Sequence, residues 1–272
     1  MDNKEALPYW ITEREAVRVR RESGDPAPWS KDPIFQTTRF CNVRREDDTV
    51  TRWIRDYWNQ PNDPPWKFVL GRMLNLPETL QHLCGMPKAD MKARVKELRS
   101  QGQKIFTSAY TISTCGKSMD KLDYVFDHVV ERVSRKENSP LWQGMWESPM
   151  DCNLMFRWLT DVDGLGTFLA AQVVADMKNT AGHPLHQAPD WWTFSAPGPG
   201  SLRGLRAFWG RKITPTGYQN AVAGAWAYTQ PQLPPSLQRL HMQDFQNAMC
   251  EYSKYIRIRE GGRARNKVWY TQ

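Results

Sequence analysis

The 272 residues carry 37 Lys and Arg against 29 Asp and Glu, a formal charge of +8, and an apolar share of 40%, enough for one large core or two small ones. No apolar run of about 18 residues occurs, and Met1 to Trp10 holds Asp2, Lys4 and Glu5 in place of a basic and then apolar leader, so neither secretion nor membrane spanning is expected and a cytoplasmic protein is. The positive balance favours a polyanionic partner, because each phosphate neutralised releases condensed counterions; five scattered cysteines without a CxxC pair, and His183 with His186 as the one close histidine pair, suggest neither a disulfide framework nor a metal site, and no cofactor is expected.

The first forty residues combine a short helical stretch, Thr12 to Glu22, with Pro-rich turns at Asp25 to Trp29 and Lys31 to Pro33, so residues 1–38 read as an arm or cover. From Asp47, Val50, Trp53, Ile54 and Tyr57 recur at helical spacing behind the acids Glu46, Asp47 and Asp48, which suit a helix N-terminus. The turn Gln60 to Pro65 ends that helix. Lys88 to Arg99 predicts the next, with Met91, Val95 and Leu98 apolar and Lys88, Lys92, Lys96 and Arg99 on one face; such a basic stripe is either a solvated face or a phosphate contact. Lys104 to Ser113 is rich enough in Ile, Phe, Thr and Tyr to suggest an extended piece. Gly116, Lys117 and Ser118 look like the end of a phosphate-binding loop, but Thr111 stands where that loop needs its first glycine, so a kinase or ATPase reading loses support. Leu122, Val125, Phe126, Val129, Val130 and Val133 mark a helix over Met119 to Val133. Most of the thirteen tryptophans read as core. The pattern predicts an all-α fold with two helical subdomains around a cleft.

Chemistry concentrates in four blocks. In Leu159 to Met177, Gly164 and Gly166 form a Gly-x-Gly turn ahead of an apolar-periodic helix, and amides at such a turn can face a phosphate or simply join two packed helices. Asp190, in PDWWTF, is the first acid after Asp176. In GPGSLRGL, Gly198 to Leu205, turn amides with Ser201 and Arg203 suit a phosphate group, or form a plain Gly-Pro loop. Over His241 to Arg265, Met242, Phe245, Met249, Tyr252 and Ile256 make an apolar face while Asp244, Asn247, Glu251 and Lys254 make a polar one, which is either a catalytic network or a salt-bridged surface.

The Leu159 to Met177 block resembles the helix-hairpin-helix of the DNA glycosylase superfamily, with Asp163 in place of its proline and Leu169 in place of its threonine. The resemblance implies DNA contact through Gly164, Leu165, Gly166 and Thr167. In that superfamily an aspartate follows the hairpin by some two dozen residues, and Asp190 stands at that distance; the resemblance places it beside a flipped nucleotide, against the alternative of a helix cap. Taken in order, RFCNVRREDD (Arg39 to Asp48), IFTSAYTIS (Ile105 to Ser113), the hairpin, DWWTF with GPGSLRGL, and DFQNAMCEYSKY resemble the alpha-glutamyl/putrescinyl thymine pyrophosphorylases, also described as amino acid:DNA transferases. These glycosylase-like phage proteins of thymine hypermodification are related to the helical part of 5-hydroxymethyluracil DNA kinases. The similarity runs from about Arg39 to Tyr270, so residues 39–272 are expected to form the glycosylase-like helical domain, with its hairpin near 159–177.

What this family implies is replacement chemistry on double-stranded DNA: a phosphate or pyrophosphate on the 5-hydroxymethyl group of uracil is displaced by the amine of an amino acid or polyamine. On that reading Arg39, Arg44, Arg45, Ser201 and Arg203 serve phosphate groups, and Asn42 and Asn247 read the uracil edge. Asp190 and Glu251 act on the amine, Lys254 neutralises charge, and Asp244 belongs to the same catalytic set. Cys41 and Cys250 suit covalent attack on the ring or, as free cysteines commonly do, the core. A base-excision glycosylase using Asp190 and a DNA-binding protein without catalysis are the alternatives. Gain of an amine mass together with loss of phosphate separates the three.

Overall fold

The computed structural model describes residues 1–107, 112–138 and 150–263, and its regular elements are all helical. The expected all-α class is therefore the observed one. The extended piece expected at Lys104 to Ser113 forms no strand in its described residues, and 108–111 lie outside them. No described helix is long and apolar enough to cross a membrane. In chain order the helices are α1 (Asn3–Glu22), α2 (Pro33–Thr37), α3 (Thr49–Trp53), α4 (Pro65–Leu74), α5 (Pro77–Gln81), α6 (Lys88–Ser100), α7 (Lys121–Asp123), α8 (Glu131–Glu137), α9 (Cys152–Thr160), α10 (Thr167–Asn179), α11 (Pro199–Trp209), α12 (Tyr218–Thr229) and α13 (Met242–Arg259). The chain forms two compact units, one from residues 1–48 with 195–272 and the other from residues 49–194.

In the first unit, α1 begins well before Thr12 because Asp2 and Glu5 form a capping box: the Asp2 carboxylate accepts from Glu5 N at 2.8 Å and Glu5 Oε2 accepts from Asp2 N at 3.0 Å. Ala6, Leu7, Trp10 and Ile11 are fully buried, so the segment expected as an arm contributes to the core of this unit. The centre of the unit is the pair α11 and α13. A Cβ at Gly200 would fall on Cys250 Sγ and one at Gly204 on the carbonyl oxygen of Met249; these two glycines, one helical turn apart, let the helices touch backbone to side chain and backbone to backbone. Trp10 packs on Phe35 and Phe40 with ring centroids 6.3 and 5.7 Å away, and Tyr255 of α13 closes the aromatic cluster at 5.8 Å from Phe35.

The second unit is held by a buried ion pair that the sequence pattern does not announce. Arg72 of α4 and Asp176 of α10, 1% and 2% exposed, make a two-pronged contact, and Arg72 also donates to Asn75 Oδ1 at 3.0 Å and Thr51 Oγ1 at 3.3 Å. A guanidinium so enclosed is stable because each prong finds an acceptor. Two π-helical segments, Ile54–Trp58 after α3 and Tyr124–Val130 between α7 and α8, alter the helical register. In the first, Asn59 N donates to Ile54 O at 2.9 Å, five residues back. The wider turn buries Trp58 and leaves Tyr57, expected on the apolar face, 66% exposed.

Candidate functional site

The hairpin joins α9 to α10. Val162 and Leu165 are buried and pin the turn, with Leu165 N donating to Val162 O at 2.9 Å. Gly164 has φ +101, and a Cβ there would lie 2.6 Å from Val129 Cγ2 and 2.8 Å from the Tyr124 hydroxyl, so both conformation and space require glycine. Gly166 is the extended N-cap of α10 and supplies no capping side chain; it is exposed, as are Thr167 and Phe168. Of the four residues expected at DNA, Gly166 and Thr167 thus lie at the surface, whereas Leu165 is anchored inside. Asp163, which stands in place of the motif's proline, contacts Lys117 at 3.3 Å and the His128 ring at 2.9 Å, and hydrogen bonds from the Lys117 ammonium and then the His128 ring hold its carboxyl below the usual range. Lys117 of the failed phosphate loop is accounted for by that pair.

In the same unit, Asp190 Oδ1 accepts from Cys152 N at 2.7 Å, and Oδ2 accepts from Asn153 N at 3.0 Å and Asn153 Nδ2 at 2.8 Å. Asp190 therefore sits on the first turn of α9, where unpaired amides favour an anion. Its turn is fastened by the buried Lys178, whose ammonium donates to Trp191 O at 2.7 Å and whose carbonyl accepts from Trp191 Nε1 at 2.8 Å. This is the cap geometry that the sequence left as one of two readings.

In the other unit, the polar face of α13 carries the segment Arg39 to Arg45 along its length. Lys254 Nζ donates to Arg39 O at 3.0 Å, Glu251 Oε2 accepts from Cys41 N at 2.9 Å, Asn247 Nδ2 donates to Asn42 O at 3.2 Å, and Asp244 Oδ1 accepts from Arg45 N at 2.9 Å. Chain positions rise in one while they fall in the other, so the segment runs antiparallel to the helix. From its other side, Arg14 of α1 donates to Phe40 O at 3.2 Å and Cys41 O at 2.9 Å and bonds the Asn42 side chain. Burial, then the neighbouring Arg21, lowers the Arg14 guanidinium to about 10. Arg14 was not singled out from sequence, though a cation between the apolar Ile11 and Val17 on one helical face was the available signal.

These contacts sort the expected site residues. Both Asp244 oxygens are engaged, the second by His241 Nε2 at 3.2 Å, while His241 Nδ1 accepts from Asp244 N. Asn42 is bonded at both ends of its amide, donating to Asp47 O at 2.8 Å. Arg44 pairs with Glu15 at 3.1 Å and Arg45 with Glu46 at 3.0 Å. Glu251 differs: Oε2 holds the Cys41 amide and the Lys254 ammonium, the latter at 2.7 Å, and among the described residues Oε1 takes no hydrogen bond. Asn247 Oδ1 is likewise without a partner among them. Arg39 and Arg203 are exposed.

Ser201 is fully buried, and its hydroxyl both accepts from Gly198 N and donates to Gly198 O, each at 3.1 Å. It closes the start of α11, and Gly200 and Gly204 are consumed in helix packing, so the phosphate turn expected over Gly198 to Leu205 retains Arg203 as its accessible charged group. Cys41 is exposed as a whole residue and Cys250 half-buried, while the thiol of each is enclosed by neighbouring protein. Burial first, then the Glu251 carboxylate, pushes their thiols up to about 12 and about 11; the reactive thiolate is disfavoured at both.

The basic stripe of α6 meets a matching acidic stripe. Lys88 pairs with Glu131 at 3.0 Å, Lys92 and Lys96 with Asp123 at 2.8 and 3.0 Å, and Arg99 with Asp120 at 2.8 Å. It is a paired face, not a row of open phosphate contacts. Among the described residues no group of three or more His, Cys, Asp or Glu side chains suits a metal ion.

The family model described as "5-hmdU DNA kinase, helical domain" matches residues 3–263. The match takes in nearly all of the first forty residues, which the sequence similarity noted above leaves out. No curated protein and no solved structure matches the chain.

Proposed function

Because the chain belongs to the family of the 5-hmdU DNA kinase helical domain, and so to the modification of hydroxymethyluracil in DNA, we propose that it replaces a phosphate or pyrophosphate on the 5-hydroxymethyl group with the amine of an amino acid or polyamine. The amine nitrogen forms a bond to the methylene carbon as the carbon–oxygen bond breaks, the phosphate leaves with the electron pair, and the amine's proton passes to a carboxylate. The observation that carries this reading is Glu251, a buried carboxylate with one oxygen fixed by an amide and an ammonium and the other open. A base so fixed accepts a proton without first reorienting. In this proposal Lys254 orients Glu251 and neutralises charge, Arg39 and Arg203 meet the phosphate, Asn247 Oδ1 meets the base edge, and Gly166 and Thr167 approach the DNA backbone. Asp190, Asp244, Asn42, Arg44, Arg45 and Ser201 position these elements.

A second reading, a DNA-binding module without turnover, is favoured by the engagement of Asp190 and Asp244 in caps and amide contacts. One experiment separates the readings. The protein is incubated with DNA containing phosphorylated 5-hydroxymethyluracil and a pool of amino acids and polyamines, and the DNA is then digested to nucleosides for mass spectrometry. Transfer gives a nucleoside that has lost phosphate and gained an amine mass. Free base would indicate a glycosylase, and unaltered nucleosides a binding module.

A further inference from the structure

Within the first unit a groove of about 500 Å³ runs between the end of α11 and the start of α12. Its lining includes the Trp209 indole, the cations Arg211 and Lys212, and Thr214, Gly217 and Asn220. Arg211, Lys212 and Asn220 are exposed, and none has a hydrogen-bond or ion-pair partner among the described residues. No acidic residue lines the groove. Two other cavities differ in this respect: the one beside the hairpin mixes Arg132, Arg135 and Lys136 with Asp127, Asp161 and Asp163, and the one near α1 includes Glu13 and Asp32. A cavity whose charges are all positive and unpaired attracts an anion, and an indole wall adds a face on which a planar ring can stack. Lys4 lies over the Trp209 ring at 5.1 Å, adding a third cation to this region.

We propose that this groove binds a stretch of DNA strand, with backbone phosphates on Arg211 and Lys212 and a sugar or base edge against Trp209. The groove is open to solvent, as the passage of a polymer requires, and the exposed Asn220 amide supplies a neutral donor to phosphate oxygens. The proposal concerns where DNA lies on this unit and does not depend on the transfer chemistry. Nothing in the sequence blocks pointed to it, because GRKITPTG (Gly210 to Gly217) has neither periodicity nor a recognised motif.

The test uses the full chain and an unmodified DNA duplex, with affinity followed as salt is raised. Arg211→Ala with Lys212→Ala should lower affinity roughly ten- to a hundredfold near 0.1 M salt and make the slope of log affinity against log salt shallower by about two, as expected for two lost phosphate contacts. Lys31→Ala with Lys121→Ala, an equal charge change at two other exposed lysines, should leave the slope within half a unit of wild type. Asn220→Asp puts an anion in the groove at the first turn of α12, where it favours the helix; it should weaken DNA binding without lowering the melting temperature. The proposal is overturned if the groove variants and the lysine control bind DNA alike, or if the wild-type chain does not bind DNA. It is overturned equally if calorimetry shows the groove pair lowering affinity for inorganic phosphate or pyrophosphate but not for DNA, since the groove would then take a free anion.

Discussion

The stripes on α6 and α13 look alike in sequence and do different work. Lys88, Lys92, Lys96 and Arg99 recur along one helix, and Asp244, Asn247, Glu251 and Lys254 along the other, each at helical spacing. On α6 the partners are side chains of a neighbouring helix, and most of these charges remain partly in water. On α13 the partners are main-chain groups of Arg39 to Arg45, and the carboxylates are buried. An ion pair in water can be remade by solvent, whereas a buried amide deprived of its acceptor cannot. The first stripe therefore adjusts stability, and the second sets the position of a chain segment and leaves one carboxylate oxygen of Glu251 without a hydrogen bond among the described residues.

Displacing α13 itself should have the largest effect. Gly204→Val places side-chain atoms on the Met249 carbonyl and should cost about 3 kcal/mol or more, at or above the usual upper range for overpacking, because the obstructing atom is backbone. Urea unfolding against wild type measures it. Asp244→Ala comes next: it strands the Arg45 amide and the His241 ring proton in a buried place, an expected loss of about 2–3 kcal/mol by the same measurement. For the α6 stripe the prediction is much smaller. A double-mutant cycle with Lys92→Met and Asp123→Asn should give a coupling of at most about 1 kcal/mol, falling toward zero as salt rises. A coupling as large as the Asp244 loss would erase the distinction.

Acid sharpens the same contrast by its window. Lys92, then Lys96, hold the Asp123 carboxyl below its ordinary 3.8, and Lys88, with Arg135 adding to it, holds Glu131 below 4.5. With the folded value depressed, the unfolded chain takes up protons first on acidification, so the stabilisation is complete above the ordinary value and lost as pH falls through the folded one. The stability gap between wild type and the Asp123→Asn, Glu131→Gln variant should therefore be constant from neutrality to about pH 4.5 and close below it. A gap that closes near pH 6 would contradict the assigned partners.

What was legible in the sequence follows the period of the helix. Met91 to Leu98 and Met242 to Ile256 show their apolar faces because 3.6-residue spacing is a local property, Leu122 to Val133 keeps its expected apolar residues buried through a π-helical stretch, and the acids complementary to α6 stand at a matching spacing in Asp120, Asp123, Asp127 and Glu131. The start of α1 was also legible, as the Asp2 and Glu5 capping box, but those residues were read for a leader. Tyr57 was misplaced because a π-turn changes the period. The clasp on Arg39 to Arg45 was hidden, since an extended segment has no amphipathic period and its contacts lie some two hundred positions away. Gly200 and Gly204 suggested phosphate by composition, whereas their separation by one helical turn was the signal for close packing.

If Glu251, held by its contacts to Cys41 and Lys254, takes the amine's proton, Glu251→Gln must slow single-turnover transfer. The substitution keeps shape and an acceptor for the Cys41 amide but removes basicity. With phosphorylated 5-hydroxymethyluracil DNA and a competent amine, transfer should be at least about a hundredfold slower than wild type, with DNA affinity and melting temperature little changed. Transfer at a near-normal rate in this variant would contradict it and return Glu251 to the role of a structural clasp alone.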